Sequence, residues 1–503
     1  MRRPLKVMKF GGTSVGDASC IERVVDIIRT ASRECNVAVV VSAMSGVTNR
    51  LIEAANQSKA GNEGAVAEIL AQLGKQHDEA VTALIHSTTE RRCLQSKLHD
   101  LFAEGQRLCQ GTILFRELTP RTLDAISGLG ERLCAPVVTA ALSEIGVASE
   151  AMDATELVVT DSYHGGAEPW TDLTRARCQA RVAPLVEAGI VPVVTGFIGA
   201  TEEGVLTTLG RGGSDYSATI LGAALDADEV VIWSDVPGLL TADPKLVTEA
   251  CTIAEISYRE AAELAYFGAK VLHPKTLRPV MQCGIPIWIK NTFAPDRSGT
   301  KITPKGPLNA GGVKALTAIL DAALITIAGP GPQRVPDALA RTVSTAAAVR
   351  ADVLLASQSS SNNEICLVVE SSFAKRIVEA MRHEFSPDLV HEKVECTFSY
   401  APVSVITLVG HNMGTESGTV TRTLAAFGQE SVNIIAIGQG SSDCSMSFVV
   451  PQPDVQIAVA SLHRELELGS LPSTGRPGNH RPVTAVASPS TIWKCEPDQA
   501  TAD

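Results

Sequence analysis

Two glycine-rich blocks carry charged side chains of the kind that bind phosphate and carboxylate groups. The first, Lys9–Ser14 (KFGGTS), places a lysine at the end of a predicted strand, before two glycines and two hydroxyl residues that open a helix. Glycines let backbone N–H groups approach oxygen atoms, and a helix N-terminus favours negative charge. Lys9, Gly11 and Gly12 therefore predict a phosphate cradle, although a glycine turn with a helix cap would use the same residues.

The second block, Thr207–Tyr216 (TTLGRGGSDY), embeds an arginine and an aspartate among three glycines, again before a predicted helix. A turn that served structure alone would have little use for Arg211 and Asp215. Arginine suits bidentate binding of a carboxylate, and Asp215 could cap the helix or orient a lysine. The chain has no Walker A motif and no G-x-G-x-x-G after a strand, which disfavours P-loop enzymes and dinucleotide dehydrogenases.

Three further blocks place charged groups at predicted strand or helix ends. Asp235 and Lys245 follow a buried strand, at the edge where open α/β sheets bind ligands, although Pro-Gly and Asp-Pro turns also account for that segment. Lys270, in a glycine-flanked segment, could reach phosphate, whereas His273 before a proline is typical of a structural histidine. Glu131, at a probable helix start, is either a capping residue or a contact for a substrate ammonium group.

The elements that must position these residues alternate between short β-branched runs and longer helical patterns. This alternation, with nearly continuous apolar strands, predicts an open α/β domain with a mainly parallel sheet covered on both faces. Residues 51–118 lack a strand signal and predict an inserted helical hairpin. The predicted strands are Lys6–Phe10, Val37–Val41, Ile190–Phe197, Glu229–Trp233 and Pro286–Ile289, and the predicted helices include Cys20–Arg33, Glu131–Ile145 and Asp215–Leu225.

An internal repeat with a spacing of 81 residues follows this domain. Ile325–Gly329 aligns with Ile406–Gly410, and Leu367–Val369 aligns with Phe448–Val450. One offset across several blocks predicts two copies of a small α+β module, each with the order strand, helix, strand, strand, helix. We place them at 315–390 and 400–468, and expect residues 469–503 to be a disordered tail because turn formers dominate there.

Composition limits the function classes. The length of 503 residues fits about three domains, and 43 basic against 55 acidic residues leave a net charge of −12, which argues against nucleic acid as a partner. No run of about 18 apolar residues predicts a membrane span, and the N-terminal residues lack an apolar leader, so we expect a cytoplasmic protein without membrane contact. The 12 scattered cysteines predict reduced thiols and no metal centre.

Taken together, the blocks resemble the aspartokinases of the amino acid kinase superfamily, and the two repeats resemble the paired ACT domains of that family. The resemblance implies a three-layer αβα amino acid kinase domain over 1–300, followed by two ferredoxin-like ACT domains. The matching segments occur in the family's order: Lys9–Val15 (KFGGTSV), Ser42–Asn49 (SAMSGVTN), Gly130-Glu131, Gly196–Gly199 (GFIG), Thr208–Tyr216 (TLGRGGSDY), Ser234–Gly238 (SDVPG), Gly268–Pro274 (GAKVLHP) and Lys290–Thr292 (KNT).

The activity that the resemblance implies is transfer of the ATP γ-phosphoryl group to the β-carboxylate of L-aspartate, the first step toward lysine, threonine and methionine. Lys9 would neutralise the transferring phosphoryl group and Asp215 would orient it. Arg211 would bind the substrate α-carboxylate and Glu131 its ammonium group. The remaining implied contacts are Thr48, Phe197 and Ser214 around aspartate, and Gly11, Gly12, Ser234, Asp235, Leu240, Lys245 and Lys270 around ATP, with Mg²⁺ bridging the ATP phosphates.

The resemblance also implies regulation. The insertion between Thr48 and Glu131 and the KFGGTS block are similar to the homo-oligomeric class, which implies a homodimer or homotetramer formed through ACT domains and feedback inhibition by lysine or threonine. Because only residues 469–503 follow the second module, too few for a dehydrogenase domain, we expect a monofunctional enzyme. Gln358 and Gln439, equivalent in the two repeats, are the predicted effector contacts, although ordinary turn hydrogen bonds would explain them equally. The chain departs from the family at Leu240, where tyrosine is frequent, at Lys245, where arginine is common, and at Asn362 and Asp443 in the two modules.

Two rival functions remain open at the level of sequence. One is a related amino acid kinase that acts on glutamate or N-acetylglutamate, because the length of the substrate cannot be read from these motifs. The other is a non-catalytic amino acid sensor with a degenerate kinase domain. The joint presence of Lys9, Arg211, Asp215 and Lys270 disfavours the sensor, and replacing Lys9 distinguishes a kinase from a sensor.

Overall fold

Short runs of valine and isoleucine build the central sheet of the N-terminal domain. In this computed structural model the described residues are 3–268, 271–307, 312–328, 335–359, 364–386, 397–411, 413, 418–439 and 443–470. The strands are β1 (Leu5–Phe10), β2 (Asn36–Val41), β3 (Ser149–Met152), β4 (Val191–Thr195), β7 (Glu229–Ser234), β8 (Glu255–Ser257), β9 (Ile287–Asn291) and β10 (Thr300–Thr303).

The sheet has the order β3-β4-β2-β1-β7-β9-β10-β8 and is parallel apart from the β9–β10 pair. All five strands predicted from sequence are present, with ends that differ by one or two residues. A separate two-stranded ribbon consists of β5 (Ile198–Ala200) and β6 (Leu206–Thr208). The mainly parallel α/β prediction is therefore confirmed.

Helices cover both faces of the sheet because its strands alternate apolar side chains between the two sides. Met8 and Phe10 of β1 join one core cluster, whereas Leu5 and Val7 join the other. The first face holds α1 (Ala18–Glu34), α5 (Pro120–Ser127) and α6 (Leu129–Glu144), and the second holds α7 (Thr171–Arg181), α8 (Ala183–Glu187), α9 (Gly213–Ala224), α10 (Tyr258–Tyr266) and α11 (Pro274–Cys283).

The insertion after β2 is helical, but it is not the hairpin that we predicted. It contains three helices, α2 (Val47–Ala60), α3 (Glu63–Leu84) and α4 (Thr88–Phe115). Gly61, at φ 80°, ends α2, and the Ser87 side chain accepts a hydrogen bond from the Glu90 N–H at the start of α4. The sequence prediction missed the break between α2 and α3, because the residues on both sides of Gly61 are helical.

The two C-terminal modules share one six-stranded sheet. The first contains β11 (Gly312–Ala328), α12 (Val335–Ala348), β12 (Val353–Ser359), β13 (Glu364–Glu370) and α13 (Ser371–Glu384). The second contains β14 (Thr397–His411), α14 (Thr419–Gln429), β15 (Ala436–Gly438), β16 (Ser445–Pro451) and α15 (Val455–Glu465). The predicted element order appears in both, and β13 and β16 begin 81 residues apart, at Glu364 and Ser445.

The modules join through their first strands. β11 pairs antiparallel with β14 at the centre of the sheet, so the order is β12-β13-β11-β14-β16-β15 and the edges are β12 and β15. A Cβ atom added to Gly438 would lie 2.6 Å from the Leu355 side chain, so the sheet curls until its edge strands touch. The predicted tail is described only at its start, where a short 3₁₀ turn covers Leu468–Ser470.

One stretch, Pro120–Glu144, is long and apolar enough to cross a membrane by composition. It comprises α5 and α6, and 72% of its most apolar window is buried inside the protein. Core helices of a folded domain pass the same test of length and hydropathy. We therefore interpret the stretch as part of the core on the first face of the sheet.

Candidate functional site

A cavity of about 730 Å³ lies where four neighbouring strands of the parallel sheet end. The segments that follow β1, β2, β4 and β7 all contribute to its wall, at Gly11, Ser42, Phe197 and Asp235. The carboxyl ends of parallel strands are the usual place for ligands in open α/β sheets. Eleven of the residues predicted from sequence line this cavity: Lys9, Gly11, Gly12, Thr48, Glu131, Phe197, Arg211, Ser214, Asp215, Ser234 and Asp235.

Lys9 and Asp215 form an ion pair inside the cavity. The Lys9 ammonium lies 2.6 Å from an Asp215 carboxylate oxygen, and the two side chains are only 10% and 14% exposed. Lys9 belongs to β1, whereas Asp215 lies in the first turn of α9, so the pair joins the two glycine-rich blocks. A fixed lysine of this kind stabilises negative charge that develops on a nearby group.

Arg211 projects from the loop before α9, and glycines shape that loop. Gly210 and Gly212 have φ values of 77° and 71°, which side-chain-bearing residues rarely adopt. A Cβ atom on Gly213 would lie 2.7 Å from the Phe197 ring, so the loop packs directly on the segment after β4. Arg211 is exposed and makes no hydrogen bond or ion pair within the described part of the chain, which leaves its guanidinium available to a ligand carboxylate.

Glu131 lies in the first turn of α6 and is 3% exposed. One of its oxygens accepts a hydrogen bond from the Ala43 N–H at 3.1 Å, while the other has no partner among the described residues. Burial raises the pKa of Glu131 to about 8, although the Ala43 N–H and the Lys9 charge oppose this shift. A buried carboxylate with one vacant oxygen is suited to receive a cationic group such as an ammonium.

Phe197 adopts a strained backbone conformation at the cavity wall. Its φ of 66° is unusual for a residue with an aromatic side chain and costs about 1–2 kcal/mol. Two hydrogen bonds hold it there, from the Phe197 N–H to the Ser217 hydroxyl and from the Leu209 N–H to the Phe197 carbonyl. A Cβ atom on Gly196 would lie 2.8 Å from Ser214, so this segment also locates Ser214.

The predicted nucleotide contacts divide into two groups. Gly11, Gly12, Ser234 and Asp235 line the cavity, and a Cβ atom on Gly11 would lie 3.3 Å from the Lys9 ammonium. Leu240 and Lys245 do not line it, because they lie beyond Gly238 on a segment that turns away. The Lys245 N–H instead bonds to Asp243, and Lys270 lies outside the described residues.

His273 has the structural role that its position before a proline suggested. Its side chain accepts a hydrogen bond from the Lys275 N–H at the start of α11. Burial and the nearby cations lower its pKa, which keeps the ring neutral and able to accept. His273 also packs closely against the loop before α9. A Cβ atom added to Gly212 would lie 2.8 Å from the His273 Cβ, so no larger residue fits at Gly212 without a shift.

The two glutamines predicted to contact an effector do not line this cavity. Gln358 is on the edge strand β12, and Gln439 directly follows the other edge strand, β15. Both are exposed. Asn362 lies outside the described residues, whereas the Asp443 carbonyl accepts a hydrogen bond from the Met413 N–H.

Sequence reasoning missed Asp124, a cavity residue that is 2% exposed. Its carboxylate accepts hydrogen bonds from Thr208, His164 and Gly165. A signal was present, since Asp124 is a single acidic residue between apolar neighbours in the segment LDAI. No cluster of three or more His, Cys, Asp or Glu side chains with metal-binding geometry occurs in the described part of the chain.

Comparison with known proteins supplies independent evidence. A family model described as the amino acid kinase family matches residues 4–291, and an ACT domain model matches residues 406–466. Aspartokinase 1, chloroplastic, of Arabidopsis thaliana is 31% identical over 493 residues, which cover 95% of this chain and 84% of that protein. Bifunctional aspartokinase/homoserine dehydrogenase 1 of Zea mays is 31% identical over 470 residues. The chain spans about half the length of this bifunctional relative.

Solved structures agree over the whole described architecture. The crystal structure of E. coli aspartokinase III in complex with aspartate and ADP, called the R-state, has a TM-score of 0.78 and 28% identity. The match covers 92% of this chain and 100% of the E. coli chain. The same enzyme with lysine and aspartate, called the T-state, has a TM-score of 0.74.

Proposed function

The chain belongs to the aspartokinase family of amino acid kinases, and from this premise we propose that it transfers the γ-phosphoryl group of ATP to the β-carboxylate of L-aspartate. The products would be 4-phospho-L-aspartate and ADP. This assignment places the enzyme at the first step toward lysine, threonine and methionine.

The observation that carries the proposal is the meeting of three charged features in one cavity of about 730 Å³. Among the described residues, the Arg211 guanidinium and one Glu131 oxygen have no hydrogen-bond partner, and Lys9 is held by Asp215. An α-amino acid presents a carboxylate and an ammonium group, which match Arg211 and Glu131. Its side-chain carboxylate would then be the group that receives the phosphoryl near Lys9.

The chemistry needs positioning and charge neutralisation more than a general base. The β-carboxylate is already ionised near neutral pH, so it attacks the γ-phosphorus directly as the bond to the ADP oxygen breaks. Lys9 would neutralise the charge on the transferring group, and Asp215 would hold Lys9 in place. Thr48, Phe197 and Ser214 would enclose the aspartate, which accounts for the polar and strained wall on that side.

The residues around the glycines fit a triphosphate. A Cβ atom on Gly12 would lie 3.0 Å from the Ala43 carbonyl oxygen, so glycine lets this loop pass close to the segment after β2 while both line the cavity. Ser234 and Asp235 lie at the opposite edge of the cavity. Mg²⁺ would neutralise the ATP phosphates when bound, and we infer that phosphate oxygens hold it. Among the described residues, no three His, Cys, Asp or Glu side chains form a group that could hold a metal ion.

We further propose feedback inhibition through the ACT pair. Lysine or threonine is the proposed effector, with Gln358 and Gln439 at its contacts, and the support is their position at the two edges of the shared sheet. Residues on and next to these edge strands, such as Gln358 and Gln439, are exposed, and a second copy packed against them would form a homodimer or homotetramer. The lysine complex of E. coli aspartokinase III is a precedent in a relative, not a property of this chain.

We also propose a cytoplasmic location. Its support is the free thiols among the described cysteines, such as the buried Cys35, Cys109 and Cys178, which are usual in a reducing compartment. Fractionation of the source cells would test this directly.

The direct test of the reaction is identification of its product. An acyl phosphate reacts with hydroxylamine to give a hydroxamate, which mass spectrometry can identify. We expect L-aspartate to give the β-hydroxamate in an ATP-dependent manner, and L-glutamate and N-acetyl-L-glutamate to give none. If L-glutamate or N-acetyl-L-glutamate gave a hydroxamate and L-aspartate gave none, the chain would instead be an amino acid kinase with a different substrate.

A further inference from the structure

One buried carboxylate at the cavity wall has no role in the proposed chemistry, yet it joins three separate segments. Asp124, on α5, is 2% exposed. Its Oδ1 accepts the Thr208 hydroxyl hydrogen bond at 2.6 Å, and its Oδ2 accepts from His164 Nδ1 at 2.8 Å and from the Thr208 N–H at 3.2 Å. The Gly165 N–H lies 3.0 Å from Oδ2.

Two of these segments support the loop that carries Arg211. Thr208 ends β6, three positions before Arg211 in the chain. Gly165 lies against the same loop, because a Cβ atom on Gly210 would be 3.0 Å from the Gly165 carbonyl oxygen. The carboxylate therefore holds the loop through Thr208, which precedes it in the chain, and through Gly165, which packs against it.

Asp124 itself is connected to the other end of the proposed aspartate site. Helix α5 ends at Ser127, and α6, which carries Glu131, begins at Leu129 after Gly128. Gly128 is closely packed, since a Cβ atom there would lie 2.8 Å from the Ile198 side chain. A shift of α5 would therefore also shift the start of α6.

We propose that Asp124 is a positioning residue for the amino acid substrate, which fixes the loop of Arg211 at a set distance from Glu131. The inference rests on the proposed function, because those two residues are the proposed contacts for the α-carboxylate and the ammonium group. Asp124 itself would not touch the substrate. It acts by holding both contacts in the geometry that the two ends of one amino acid require.

The charge of Asp124 is needed for this role. The four groups that contact its two oxygens all donate hydrogen bonds. They are two backbone N–H groups, a hydroxyl and an imidazole N–H. An asparagine would keep one acceptor oxygen but turn an NH₂ group toward some of these donors. The loop would then lose its anchor although the volume of the side chain hardly changes.

The test is steady-state kinetics of Asp124→Asn with both substrates varied. We expect the KM for L-aspartate to rise about 10- to 100-fold and the KM for ATP to stay within about twofold. Thr208→Val removes only the 2.6 Å hydroxyl bond and should shift the KM for L-aspartate in the same direction by less. Thermal melting shows whether each variant is folded, and if Asp124→Asn does not fold, Thr208→Val decides.

Asp161→Asn is the matched control. Its carboxylate accepts hydrogen bonds from the N–H groups of Tyr163 and Glu168 in the same loop as Gly165, and among the described residues it has no hydrogen bond to Thr208 or to α5. An equal rise in both KM values, an equal effect of Asp161→Asn, or an unchanged KM for L-aspartate in both test variants would each overturn the inference. A wild-type chain that does not use L-aspartate refutes the proposed function, and the inference with it.

Discussion

Glu131 is the residue whose ionisation most directly links the cavity to pH. Its pKa is raised to about 8 by burial, so below that pH the empty site holds a neutral carboxyl group. A neutral group attracts an ammonium much less than a carboxylate does. Substrate binding should therefore be coupled to loss of a proton from Glu131, and this coupling can be measured.

We expect kcat/KM for L-aspartate to fall as the pH decreases below about 8, approaching tenfold per pH unit. The parameter kcat/KM reports the free enzyme, so kcat at saturation should fall only at lower pH. Glu131→Gln should lower kcat/KM at high pH and remove the dependence. Glu156→Gln, at an exposed ion pair with Arg181, should keep the wild-type profile. A wild-type profile that is flat between pH 6 and about 9 would contradict this role.

The same shift predicts how stability depends on pH. Between the usual pKa of 4.5 and about 8, the folded protein retains a proton on Glu131 that the unfolded chain has lost. Stability from this group is thus fully present below pH 4.5 and is lost as the pH rises toward 8. The melting temperature of Glu131→Gln relative to wild type should rise across that window, and a constant difference would contradict the assignment.

At the scale of elements, glycine positions decide how closely the loops of the site approach. Gly212 has a φ of 71°, and a Cβ atom there would lie 2.8 Å from the His273 Cβ. Gly74, in the middle of α3, has no atom within 4 Å of an added Cβ. The two glycines therefore make a matched pair for one substitution.

Gly212→Ala should destabilise the protein by about 1–2 kcal/mol or more and raise the KM for L-aspartate, because the strain displaces Arg211. Gly74→Ala should instead stabilise it by about 0.5–1 kcal/mol, since alanine favours a helix interior. Denaturant unfolding of both variants measures the change in the free energy of unfolding, which should have opposite signs in the two. Equal signs would mean that backbone conformation at Gly212 does not limit the loop.

The sequence predicted most of the elements and the residues that line the cavity, because both depend on local patterns. Periodicity revealed β1 and α1, and the glycine-rich blocks around Lys9 and Arg211 stood out by composition. The sequence did not predict Asp124 as a site residue, because its partners His164 and Thr208 are 40 and 84 residues away in the chain. Only folding brings these residues together. The segment with Leu240 and Lys245 leaves the cavity for a similar reason, since tertiary packing sets its direction.

At the scale of the whole molecule, packing joins the kinase domain to the ACT sheet. The Leu316 N–H bonds to the Thr241 carbonyl, and the Thr241 hydroxyl lies 3.0 Å from His463 of α15. Lys314 of β11 forms an ion pair with Glu260 of α10 at 2.7 Å, with both side chains 8% exposed or less. The segment after β7 and the ACT sheet are therefore held as one body.

Lys314→Met should destabilise the protein by about 3–5 kcal/mol, because it leaves the Glu260 charge buried without its partner. Lys75→Met, which removes an exposed pair with Glu79, should change stability by less than about 1 kcal/mol. Thermal unfolding compares the two variants directly. A Lys314→Met protein as stable as the Lys75→Met protein would show that this buried pair does not hold the two domains together.

The central claim, that this cavity phosphorylates L-aspartate through Lys9, is tested most directly by ADP release from Mg-ATP by wild type and Lys9→Ala. We expect L-aspartate to stimulate release by the wild-type chain, and Lys9→Ala to lower kcat by about 100- to 1,000-fold while remaining folded. Lys6→Ala, on the same strand but paired with Glu229 outside the cavity, should retain its rate. The account would be contradicted if L-aspartate did not change the rate of ADP release, or if Lys9→Ala released ADP at the wild-type rate.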